Sequence, residues 1–410
     1  MEIKLAKRMD SFAEGIFQVL NEKRFELEKA GRKVYNLSVG TPDFPVPQHI
    51  MDAVVTAAKK PENYKYALRD LPELIEAVKT RFRNRYGVML SDDEITSVYG
   101  SQEGITHIAL PLCDPGDIVL VPNPGYQIFS IGPELCGAKT VTYDLIEENG
   151  YLPDLATIPE EVLERTKFMM ISYPLNPVCK CAPESFYEEV IAWAKKHHII
   201  LVHDNAYSDI IYDGRPGRSI LSYEGAKEVA VEFYSLSKSF NYTGARVSFL
   251  TGNAEIVQSF KRLRSQIDYG TFLPVQYGAI AALTGPDGMV KEQCMEYQKR
   301  RDALCGGLRG IGWDIPDSEG TMFAWGKIPA HFGDDDTAFV MKLMEKTGVL
   351  CTPGSSFGSL GKGHVRFALV LPVEQINEAV KAIDGSGILK KVSVDTVEEV
   401  VYTCCCDNKI

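Results

Sequence analysis

The sequence predicts an α/β fold: a mostly parallel seven-stranded sheet with helices on both faces, beside a smaller α+β unit. Two observations carry this. Seven short runs rich in β-branched and aromatic residues recur before residue 252, most of them near-continuously apolar. Strands covered on both faces read this way. Helical patterns lie between the runs, as in a sheet with crossover helices. The chain has 410 residues, 45% hydrophobic and 24% charged. That is an ordinary globular mixture, long enough for roughly two to four domains or one large unit with an appendage.

The predicted strands are Thr96–Tyr99, Ile118–Val121, Thr140–Tyr143, Phe168–Ser172, Ile199–His203, Ala230–Leu236 and Val247–Thr251. The segment Glu184–Lys196 places Phe186, Val190, Trp193 and Ala194 on one helical face, and Pro183 sits near its start. After about residue 285 the pattern changes. Helical stretches near Met289–Leu308, Thr337–Lys346 and Val373–Ile383 dominate, with short strands at Thr321–Trp325 and His364–Ala368. A helix pattern over Phe12–Ala30 precedes all of the sheet. The division predicted is a large domain over 46–285, with a small domain made of 1–45 and 286–410.

Composition excludes several function classes. The formal net charge is −11, so no basic face dominates and no nucleic-acid partner is expected. No run of eighteen apolar residues occurs, so no membrane-spanning helix is expected. The segment MEIKLAKRMDSF has no apolar stretch of signal-peptide length. The ten cysteines, three of them consecutive at Cys404, Cys405 and Cys406, lack the spacing of a disulfide framework. Reduced thiols in a cytoplasmic protein are the expectation.

The chemistry concentrates in Tyr234-Ser-Leu-Ser-Lys-Ser-Phe-Asn-Tyr-Thr-Gly-Ala-Arg-Val247. Lys238 follows a strand end, where ligands bind in parallel sheets. A lysine desolvated there becomes nucleophilic, as Schiff-base chemistry requires. Ser235, Ser237 and Arg246 supply hydroxyls and a bidentate cation suited to a phosphate. A solvated loop lysine with helix-capping serines fits the bare residues as well.

Four further phrases bear on this. Asp204, in His203-Asp-Asn-Ala-Tyr-Ser-Asp209, ends a strand, and a helix N-cap is its simplest role. Ser101 and Gln102 start a helix, where free N–H groups attract phosphate. Tyr126 closes Pro122-Asn-Pro-Gly-Tyr126, which also fits a surface turn with a half-buried ring. Arg366, in His364-Val-Arg-Phe-Ala368, could hold a carboxylate through two parallel bonds or be a surface charge. Cys179 and Cys181 lack the second pair that a zinc site needs. No Walker A motif, dinucleotide fingerprint or HExxH occurs, and no metal is expected.

Taken in order from about residue 30 to about 384, these phrases resemble fold-type I pyridoxal-phosphate aminotransferases of the class I/II family. Gly225–Phe233, Asp268–Phe272 and Pro353–Gly358 are most similar to its bacterial alanine and LL-diaminopimelate members. The resemblance implies an aspartate aminotransferase-like large domain that binds the cofactor. It implies transfer of an amino group between an L-amino acid and a 2-keto acid through a pyridoxal-phosphate Schiff base on Lys238, which then serves as the base. Asp204 would keep the pyridine nitrogen protonated, and Tyr207 and Asn176 would contact the phenolic oxygen. Tyr126 would stack on the ring. Ser101, Gln102, Ser235, Ser237 and Arg246 would anchor the phosphate. Gly40, Asn176 and Arg366 would hold the substrate carboxylate. Tyr66, or Tyr64 by a shifted alignment, would reach the neighbouring subunit's phosphate in a homodimer, and Thr271 would also cross. The chain departs from the family at Tyr173-Pro-Leu-Asn-Pro-Val-Cys-Lys180, where Thr-Gly usually stands in place of Val178-Cys179. That departure keeps a β-elimination lyase on the same fold as an alternative. A cofactor-binding sensor fits less well, because about 45 residues before the sheet leave little room for a DNA-binding module.

Overall fold

A computed structural model describes residues 3–12 and 16–390. The Cys404–Cys406 run and the end of the predicted small domain lie outside the described residues. All seven predicted strands form one sheet. They are β2 (Ile95–Val98), β3 (Ile118–Asn123), β4 (Lys139–Asp144), β5 (Thr166–Ile171), β6 (Ile200–Asn205), β7 (Ala230–Ser235) and β8 (Ser248–Gly252), preceded by β1 (Tyr35–Asn36) outside that sheet. Their spatial order is β2-β8-β7-β6-β5-β3-β4. Only β8 runs antiparallel to its neighbours; the other pairs are parallel.

Alternation explains the near-continuous apolar runs. In β5, Phe168 and Met170 enter one core cluster while Met169 and Ile171 enter the other, across the sheet. The edge strand β4 is the exception. Lys139, Thr142 and Asp144 are exposed and only Tyr143 is buried, so the expectation of two covered faces fails there. An edge has no neighbour to exclude water, and its polar residues accept that.

The later part holds a three-stranded antiparallel sheet of β9 (Phe323–Lys327), β11 (Thr352–Pro353) and β12 (His364–Ala368), ordered β11-β12-β9. Helices Gly288–Gly310, Asp336–Thr347 and Val373–Ser386 accompany it, close to their predicted spans. The N-terminal segment joins this part. Its helix, Ile16–Lys29, contacts Asp336–Thr347, and β1 pairs in parallel with β10 (Val349–Leu350). Leu37 N donates to Leu350 O at 2.8 Å, and Ala368 N to Leu37 O at 2.6 Å. These bonds lay Ser38–Gly40 beside β12, facing the carboxyl ends of β6 and β7. Among the described residues, no helix is long and apolar enough to cross a membrane.

Candidate active site

A cleft of about 460 Å³ lies where these ends meet, and Lys238, Asp204 and Arg366 all line it. Ser235 ends β7 and caps the short helix Leu236–Ser239, its Oγ accepting from Ser237 N at 3.1 Å. This turn sends Lys238 into the cleft, where Nζ donates to Gly40 O at 2.6 Å. Burial, reinforced by Arg366 and Arg246, lowers the Lys238 ammonium to about 8. Asp204, at the end of β6, is buried, and its Oδ1 has no hydrogen-bond partner. Burial pushes its carboxyl up to about 6, against the opposing pull of His203.

Arg366 is buried on β12. It donates to Asn176 Oδ1 at 2.9 Å and Ser38 O at 3.1 Å, and lies 4.0 Å from the Phe323 ring centre. Among the described residues no carboxylate pairs with it, and burial holds it down to about 10. A buried cation without an anion is costly, so the site is shaped for an anionic ligand.

The departing loop keeps its expected form. Cys179 adopts a φ of 66°, the left-handed conformation glycine favours. Its N–H donates to Leu175 O at 2.6 Å. Glu319 then fixes the following residues, accepting from Lys180 Nζ and from Cys181 N, each at 3.0 Å. Asn176 reaches Arg366 despite the changed sequence. Burial pushes the Cys179 thiol up to about 11, leaving it protonated and inert. No group of three or more His, Cys, Asp or Glu side chains among the described residues is placed to hold a metal.

At the opposite end, the helix Ser101–His107 starts after Gly100, whose φ is 83°. A Cβ there would lie 2.3 Å from Arg246 Nη2, so the arginine lies directly against this turn. Ser101 Oγ is buried without a partner, Gln102 is exposed at the helix start, and Ser237 is buried nearby. Arg246 Nη1 donates to Thr243 O at 3.1 Å. Tyr126 and Tyr207 line the cleft between the two ends, and burial raises both phenols.

Tyr66 does not line this cleft. It is 78% exposed and packs on Tyr269, 4.8 Å between ring centres. Tyr64 is also exposed and rests on Phe272. Thr271 is buried inside this chain, Oγ1 3.3 Å from Ser97 Oγ. A larger groove, about 1150 Å³, runs past Asp70, Lys261 and Tyr269, but none of the predicted cofactor or substrate groups lines it. Sequence reasoning missed Asn21, Gln127, Phe323, Ser356 and Phe357, which complete the cleft wall. Ser356 and Phe357 belong to a phrase that resembles the family without pointing to a role for either.

The cleft fits pyridoxal phosphate on its own donor set. It offers a depressed lysine, an orphaned carboxylate oxygen, an orphaned hydroxyl at a helix start beside an arginine, and an unpaired buried guanidinium. Comparison with known proteins agrees. Residues 32–383 match the family model for aminotransferase class I and II. The chain is 40% identical over 385 residues to LL-diaminopimelate aminotransferase of Halothermothrix orenii, covering 93% of this chain and 98% of that protein. It is 36% identical to glutamate-pyruvate aminotransferase AlaC of Escherichia coli, covering 92% of each. The apo structure of BacF from Bacillus subtilis superposes with a TM-score of 0.90 at 36% identity, covering 94% of this chain and 98% of that one.

Proposed function

From the premise that the chain belongs to the class I and II aminotransferases, a pyridoxal-phosphate-dependent family, we propose how its own residues transfer an amino group from an L-amino acid to a 2-keto acid. The observation that carries the reading is the convergence of a depressed lysine, an orphaned aspartate and an unpaired arginine in one cleft. When bound, pyridoxal phosphate supplies an aldehyde that joins an amine and a ring that draws electrons from the amino-bearing carbon. Lys238 is the attachment point. With a value near 8, about one molecule in ten carries it neutral at pH 7, against roughly one in several thousand for an ordinary lysine. As a free amine, its Nζ would take the proton from the substrate α-carbon and deliver it to the cofactor carbon that carried the aldehyde.

Asp204 is ionised above about pH 6, and its unpartnered Oδ1 would accept from the ring N–H. Tyr207 and Asn176 would contact the phenolic oxygen, and Tyr126 would supply a stacking face. Ser101, Gln102, Ser235, Ser237 and Arg246 take the phosphate. Arg366, with Gly40 and Asn176, holds the α-carboxylate of either substrate and fixes which α-carbon bond faces Lys238.

The exposed hydrophobic surface of Tyr64, Tyr66, Leu68, Tyr269 and Phe272 supports a homodimer in which Tyr66 reaches the neighbouring phosphate. The functional division is a large domain, 46–285, and a small domain of 1–45 with 286–410. The seven described cysteines are all free, which supports a reducing, cytoplasmic setting. The names of the relatives put glutamate, alanine and LL-diaminopimelate first among donors to try. Purified protein supplied with cofactor should show a visible absorbance band that changes when an amino donor is added. A protein that stays colourless would overturn the reading.

A further inference from the structure

Four buried polar atoms of the cleft have no hydrogen-bond partner: Ser101 Oγ, Asp204 Oδ1, Arg366 Nε and Ser356 Oγ. In the aminotransferase reading, on which any role for Ser356 rests, the first three serve phosphate, ring nitrogen and substrate carboxylate. Ser356 is left over. It is 7% exposed, and an unsatisfied buried hydroxyl is costly unless a ligand completes it.

Its position is fixed from both sides. Asp336 accepts from Ser355 N at 2.8 Å and from Ser355 Oγ at 2.7 Å. From the large sheet, Gln127 Nε2 donates to Ser356 O at 2.6 Å, and Gly125 N to Phe357 O at 2.8 Å. Asn123 Nδ2 donates to Ser359 Oγ at 2.9 Å, and Asn123 Oδ1 accepts from Leu360 N at 3.1 Å. Gly358, with a φ of 121°, leaves the room this needs: a Cβ there would lie 2.4 Å from Asn123 Oδ1. The next ring, Phe357, lies 4.6 Å from the Arg366 guanidinium carbon. Ser356 is therefore held at the substrate end rather than the phosphate end.

Among the described residues, no further charge lines the cleft wall beside it. The cations lining the cleft, among the described residues, are Lys238, Arg246 and Arg366, and each already has a role. The other polar residues of the wall without an assigned role, Asn21, Ser38, Gln127, Thr243 and Ser356, are all uncharged. We propose that Ser356 is a specificity-determining residue that hydrogen-bonds the substrate side chain. The donor class is then amino acids whose side chain ends in a hydroxyl, amide or amino group, in preference to a side-chain carboxylate. A clamped hydroxyl needs no reorganisation to select such a group, and an apolar side chain leaves it unsatisfied.

The test compares wild type with Ser356→Ala, both loaded with cofactor, on L-alanine, L-homoserine, L-glutamine, L-lysine and L-glutamate. The cofactor absorbance of each preparation verifies an intact site. The ratio of kcat/KM for the best polar donor to that for alanine should fall about tenfold in Ser356→Ala. An unchanged ratio, or wild-type preference for glutamate or alanine over every polar donor, overturns the assignment. Wild type that transaminates no donor at all would instead refute the aminotransferase reading beneath it.

Discussion

The cleft has two ends, built in different ways. The phosphate end comes from strand termini of one sheet: Gly100–Gln102 after β2, and Ser235 through Arg246 after β7. Each group follows from a short contiguous phrase. The carboxylate end joins Ser38–Gly40, Asn176, Phe323, Ser356, Phe357 and Arg366, segments far apart in the chain that the pairing of β1 with β10 and the docking of the loop after β11 on Asn123 help bring together. Chemistry at the first end is local; at the second it depends on assembly. Changes at the cofactor end should act on the chemical step and cofactor retention. Changes at the substrate end should act on KM and choice of donor.

Three substitutions probe that contrast, the largest effect first. Lys238→Ala removes both attachment point and base, so transamination should fall about 10⁴-fold. Cofactor should still bind noncovalently, measurable by absorbance after gel filtration. Asp204→Ala should lower kcat about 10²–10³-fold by removing the charge that stabilises the ring's acceptor form. It should also weaken cofactor binding, with a smaller effect on donor KM. Arg366→Lys should do the converse. It removes the planar pair of bonds, so kcat/KM should fall roughly 30-fold, chiefly through donor KM in steady-state kinetics. Equal effects of Asp204→Ala and Arg366→Lys on both parameters would erase the distinction.

A smaller effect is expected from pH. The Lys238 ammonium lies near 8 because burial and two arginines disfavour its charge. Only the neutral amine attacks an aldehyde, so incorporation of pyridoxal phosphate into cofactor-free protein should speed up about tenfold between pH 7 and 9 and then level. A rate still rising steeply above pH 10 would mean an unperturbed lysine. On the acid side, retention should weaken below about pH 6, as the Asp204 carboxyl takes up its proton.

The same contrast sets what was legible in the sequence. Seven strands and the helices after residue 285 announced themselves by period, since side-chain alternation is local. Lys238, Asp204 and Arg246 sit in phrases whose backbone shape is also local. Cys179 misled only by identity, because it takes the left-handed turn that glycine would. The contact of Thr271 with Ser97 is long-range and invisible in its own phrase. The edge strand β4 read as apolar while its neighbours on one side are missing. Asn21 and Gln127 carry no motif, and the phrase that holds Ser356 names no role for it. Only the folded cleft shows that they share a wall with Lys238.

Whether this cleft moves an amino group or eliminates one is decided most directly by counting products. Cofactor-loaded protein is mixed with excess amino donor and no keto acid. Aminotransfer releases one keto acid per chain and no free ammonia, and turnover resumes once a 2-keto acid is added. Continuous release of ammonia without an acceptor would contradict it.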